Sequence, residues 1–81
     1  MDNEDVVVKP AHYTQYPIEP ITFIMTNKLA FHVGNIVKYA VRAGSKAYPN
    51  QTPEQSEITD LRKAMRYCEM RINQIESQDE L

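Results

Sequence analysis

Two glycines, one cysteine and no tryptophan occur in the 81 residues. Gly34 and Gly44 stand alone, so neither a P-loop nor a dinucleotide fingerprint can be written. Cys68 has no partner for an intramolecular disulfide, and one cysteine with two histidines falls short of a structural zinc set. A single thiol fits a reducing compartment. No serine stands in a GxSxG setting. No apolar run approaches the roughly 20 residues that span a bilayer. The opening MDNEDVVVKP is acidic where a secretion signal is basic. The expectation is a soluble protein of the cytoplasm with no membrane partner. The net charge of −2 lacks the basic excess of a nucleic-acid binder, which argues against nucleic acid as a partner.

What is present reads as one all-α domain, which is all that 81 residues allow. Residues 1–10 are expected to be a mobile N-terminal segment, 11–77 a single helical domain, and 78–81 a frayed C-terminus. Residues 11–20 hold His12, Tyr13, Tyr16, Pro17 and Pro20, and prolines at this density favour an irregular path. A short first helix is predicted from Glu19-Pro20 to about Asn27-Lys28, with Ile18, Ile21, Ile24 and Met25 at helical spacing. A second is predicted over about 29–43, stopped by Gly44 in a left-handed conformation. After a loop broken by Pro49-Asn50, a third starts near Thr52-Pro53 and runs to about Ser77. Thr52 and Gln55 have the spacing of a capping box. Ile58, Leu61, Met65, Cys68, Ile72 and Ile75 alternate spacings of three and four, a heptad-like apolar row. Together the second and third helices should form an antiparallel hairpin, with the row as its natural seam.

The second helix carries the chemistry. In FHVGNIVKYAVRAGSK, residues 31–46, Leu29 and then Val33, Ile36, Val37 and Ala40 fall in one sector at about 100° per residue. His32, Asn35, Tyr39, Arg42 and Lys46 fall roughly opposite, with Lys38 at the edge. The ordinary reading is the wet face of an amphipathic helix. Against it, residues 30–47 contain no acid, and the mixture of His, Asn, Tyr and Arg gives directional bonds rather than mere solubility. An acid-free run holding Lys38, Arg42 and Lys46 in a net acidic chain is a local positive field, and its counterpart is phosphate. Arg42 suits a bidentate clamp; the lysines act as point charges. Gly34, inside the helix, reads as a place of close helix–helix approach.

On the third helix, Asp60, Lys63 and Tyr67 share one flank of the apolar row, with Arg71 nearby. Asp60 is placed to face His32 or Arg42 across the helix pair. It is either half of an ion pair or a carboxylate that holds magnesium on a phosphate or positions a sugar hydroxyl. Glu54, Glu57 and Asp60 also spell the paired-acid spacing of all-helical pyrophosphohydrolases, but the second helix supplies no matching acids.

His-Tyr at 12–13, IEPI at 18–21, FHVGNIVKYAVRAGSK, and DLRKAMRY at 60–67 together resemble a small phage-encoded family of largely unknown function. It includes a coliphage kinase of deoxynucleoside monophosphates that lacks a Walker motif, and that kinase is a considerably longer chain. The resemblance runs from about Lys9 to Glu69. It implies a helical phage protein of the host cytoplasm that binds a nucleotide or another phosphorylated small molecule. If the kinase chemistry is shared, Arg42, Lys38 and Asp60 would carry it, with Asp60 toward Mg2+. His12, Tyr13, Asn35, Tyr39, Lys46, Lys63 and Tyr67, which match the family's pattern, would contact ligand, and His32 joins them from the polar face of the second helix. Two other readings stay open. One is a non-enzymatic protein that sequesters a nucleotide or inhibits a host enzyme, with a host protein as partner. The other is a structural or regulatory helical oligomer. Homo-oligomerisation is expected in any case, because the apolar row runs to Ile72 and Ile75, beyond what a shorter second helix can cover.

Overall fold

The computed structural model describes residues 15–78. They form three helices: α1 (Pro20–Thr26), α2 (Phe31–Arg42) and α3 (Pro53–Gln78). α2 and α3 make the antiparallel hairpin, and the short α1 packs on α2. No helix among the described residues is long and apolar enough to cross a membrane.

Each boundary has a local cause. α1 opens with Pro20 in its first turn, where the missing N–H costs nothing. It closes in a Schellman motif: Lys28 N–H bonds the Met25 carbonyl and Leu29 N–H the Ile24 carbonyl, both at 3.1 Å. The left-handed residue that this motif requires is Lys28, at φ 52°, rather than a glycine. Leu29 is thereby part of the exit from α1, and α2 begins two residues later than the sequence suggested. α2 stops at Gly44, whose φ of 93° suits glycine; Ser45 then bonds the Arg42 carbonyl with both its N–H (2.9 Å) and its Oγ (2.8 Å). Tyr48 to Gln51 form a turn closed by a 3.2 Å bond from Gln51 N–H to the Tyr48 carbonyl. Pro49 sits second and Asn50 third at φ 63°, the arrangement a type II turn favours. The capping box is present: Gln55 N–H donates to Thr52 Oγ1 (3.1 Å) and Thr52 N–H to Gln55 Oε1 (2.8 Å).

A Cβ at Gly34 would lie 2.9 Å from Ile24 Cγ2, so α1 and α2 approach too closely at Gly34 for a side chain to fit without a shift. This is the helix–helix role expected of it.

The seam of the hairpin differs from expectation. α3 turns Ser56, Asp60, Ala64 and Tyr67 toward α2, and the largest fully buried side chains are Asp60 and Ser56. Among the described residues only Ala64 is both apolar and buried. The apolar row is not the seam: Ile58, Leu61, Met65, Ile72 and Ile75 are all exposed, Met65 by 65% and Ile72 by 53%. The row lies about 110° round α3 from the face that meets α2, at 100° per residue. The physical reason is electrostatic. Asp60 and Arg42 pair between the helices, and an ionised carboxylate buried there requires that partner. Its pairing fixes which face of α3 turns inward.

Candidate functional site

At the loop end of the hairpin, Tyr48 folds back from the connection into the seam. Its hydroxyl accepts from Arg42 Nη2 (2.7 Å) and Lys63 Nζ (3.0 Å), and donates to Asp60 Oδ1 (2.6 Å). Arg42 Nη2 also reaches Asp60 Oδ1 at 3.1 Å. The Tyr48 backbone is held by a 3.0 Å bond from its N–H to Ser56 Oγ, one turn before Asp60 on α3. Pro49 favours the extended backbone at Tyr48 that lets the chain double back.

Cations surround two tyrosine rings. Arg42 lies 4.6 Å from the Tyr39 ring centre, with Lys38 at 5.2 Å and Lys63 at 5.3 Å. Lys63 is 4.7 Å and Lys46 5.2 Å from the Tyr48 ring. All are within cation–π range. One turn further from the loop, Tyr39 stacks on Tyr67 (5.8 Å between centres, 10° between planes), and Phe31 meets Tyr67 edge-on at 6.0 Å.

The charges do not balance. Asp60 neutralises Arg42, but among the described residues Lys38, Lys46 and Lys63 form no ion pair. Burial draws the pKa of Arg42 down, yet the hydrogen bond and charge of Asp60, helped by Tyr48, outweigh it and leave a net rise. The Lys63 pKa is raised chiefly by its bond to Tyr48. Both groups therefore stay charged at neutral pH. Arg42 Nε and Asp60 Oδ2 are buried without a hydrogen-bond partner among the described residues. The pocket beside Arg42 and Lys38 is about 30 Å³, room for water and not for a nucleotide.

Of the residues singled out in the sequence, Lys38, Tyr39, Arg42, Lys46, Asp60, Lys63 and Tyr67 converge here. His32 and Asn35 do not. Asn35 bonds the Phe31 carbonyl one turn back (2.9 Å), and His32 makes no polar or ring contact among the described residues. His12 and Tyr13 lie outside the described residues. Arg71 bonds Gln74 instead of joining the cluster. Tyr48 and Ser56 are the participants that sequence reasoning missed. The available signal was an aromatic residue directly before a proline, flanked by Lys46, and a serine four residues ahead of Asp60.

Residues 7–69 match the family described as protein of unknown function (DUF3310). The chain belongs to that family. The match takes in α1, α2 and the part of α3 that faces α2, so the tyrosine–cation cluster lies wholly within the DUF3310 module. No curated protein and no solved structure matches the chain.

Proposed function

We propose that this DUF3310 protein binds a phosphorylated small molecule, a nucleotide foremost, at the tyrosine–cation cluster. The observation that carries the reading is the charge left uncompensated among the described residues: three lysines that pair there with no carboxylate gather on the rings of Tyr39 and Tyr48 beside an Arg42 already held by Asp60. Such an arrangement presents a local positive field, and phosphate supplies the charge and acceptor oxygens that lysine amines take. In this reading Lys38, Lys46 and Lys63 meet the phosphate. Asp60, at 0% exposure, is a positioning residue that fixes Arg42 and Tyr48.

The finer form of the proposal is a phage nucleoside monophosphate kinase without a P-loop, in which these cations stabilise the charge on the transferred phosphoryl group. Among the described residues no three His, Cys, Asp or Glu side chains converge to hold a metal. Mg2+, where used, would come in on the phosphate oxygens. A sequestering protein would use the same cluster and release its ligand unchanged.

The test is a thermal-shift series with mono-, di-, tri- and cyclic nucleotides, with and without Mg2+, on the native chain and on Lys38→Gln/Lys46→Gln. A shift that the double variant loses, while its own melting temperature stays near native, supports the site. No shift from any nucleotide overturns it. Conversion of a deoxynucleoside monophosphate to its diphosphate with ATP then separates kinase from binder.

The exposed row on α3 favours a second reading, a helical oligomer with a structural or regulatory task. The two are compatible, because the row and the cluster occupy different sides of α3.

A further inference from the structure

We infer that the exposed row of α3 is the seam of a two-fold dimer in which a second copy of this chain lays its own α3 antiparallel on the first. The inference stands independently of the nucleotide reading.

The row's spacing selects this occupant. Ile58, Leu61, Met65, Cys68, Ile72 and Ile75 follow one another at 3, 4, 3, 4 and 3 residues, a pattern that reads the same in both directions. A helix turned end for end therefore meets its own copy in register: Ile58 faces the second copy's Ile75, Leu61 its Ile72, and Met65 its Cys68. All six positions are exposed, so none is already spent on the hairpin. A two-fold axis through the middle of the row uses the same patch on both copies, as a symmetric dimer requires.

The flanking charges agree. On the side of the row turned away from α2 stand Arg62 and Glu69. In the antiparallel register Arg62 of each copy comes beside Glu69 of the other, an attractive pair formed twice. Among the described residues Arg62 makes no side-chain bond, and Glu69 has only a 3.5 Å contact to the exposed Arg66. A parallel pairing would rely instead on Glu57 with Arg62 and on Arg71 with Glu76. Glu57, however, packs its carboxyl group 3.7 Å from where a Gly44 Cβ would stand, and Arg71 is bonded to Gln74 at 2.7 Å. Parallel pairing would also align the helix dipoles, whereas antiparallel pairing opposes them. The row spans about 26 Å at 1.5 Å per residue, a short seam, so dimerisation is expected at micromolar concentration.

Sedimentation of the full chain at micromolar concentration should give twice the monomer mass. Leu61→Glu/Ile72→Glu puts four carboxylates at the centre of the seam and should give a monomer with native far-UV circular dichroism. Met70→Glu, an exposed apolar position off the row, should remain dimeric. Arg62→Glu should weaken association at least tenfold, and adding Glu69→Arg should restore it. Direction is read by oxidation in a Cys68→Ser background. Ile58→Cys with Ile75→Cys should crosslink two chains, whereas Ile58→Cys alone should not, because the two Ile58 positions would lie about 26 Å apart along the axis. A monomeric native chain, an unaffected Leu61→Glu/Ile72→Glu variant, or a crosslink through Ile58→Cys alone overturns the inference.

Discussion

Replacing Tyr48 by Phe removes one oxygen and leaves the ring, so Lys46 and Lys63 keep their aromatic neighbour. The lost hydroxyl serves three groups that are all charged. Lys63 is only partly buried and returns to water at little cost. Arg42 keeps its 3.1 Å bond to Asp60. The main penalty falls on Asp60, which loses its shortest bond at a site with no exposure and whose Oδ2 already lacks a partner. Hydrogen bonds to charged groups contribute about 1.5–3 kcal/mol, so a loss of about 2–3 kcal/mol is expected. For a domain of this size that is a fall of roughly 8–24 °C in melting temperature. Urea unfolding followed by far-UV circular dichroism at a fixed protein concentration measures it. A loss under about 0.5 kcal/mol would show that the hydroxyl does not hold the hairpin, and the account of Tyr48 as the hub of the seam would fail.

Asp60→Ala strands Arg42 in the seam and should destabilise by about 3–5 kcal/mol in the same assay; Asp60→Ala/Arg42→Met should recover part of the loss. Lys28→Gly should stabilise by about 1 kcal/mol, since a non-glycine residue now occupies the left-handed position of the Schellman motif, and a neutral or negative result would refute the strain at Lys28. Because the native Lys63 pKa lies above its ordinary 10.5, its contribution is complete below that pH and is lost as pH rises through the native value. Stability should therefore decline in alkaline titration, and Lys63→Met should flatten that part of the profile.

The helix count, the capping box, the left-handed Gly44 and the Gly34 contact were legible because each depends on a few neighbouring residues. The start of α2 was not, because Lys28 adopts a conformation that its side chain does not advertise. The seam was misjudged for a deeper reason. A heptad-like row states that some partner covers it, but not that the partner is in the same chain. Polar residues of α2 and α3, Arg42 and Asp60 foremost, form the contact instead. Convergence of Lys38, Tyr39, Arg42, Asp60 and Lys63 could be read from helical phase; the place of Tyr48 depends on a loop path that periodicity does not encode.

The polar interactions that tie α2 and the loop to α3 cluster at the loop end, between partners 12 to 18 residues apart in the chain. Short chain separations are cheap to close, so this end should form early in folding, with the turn at Pro49-Asn50 setting the register before the far ends meet. Toward Gln78, α3 passes beyond α2 and loses the support of the other described helices. In the monomeric Leu61→Glu/Ile72→Glu variant, amide exchange should consequently be graded along this one helix, slowest around Asp60 and fastest past Ile72, with cooperativity fading in a single direction along it.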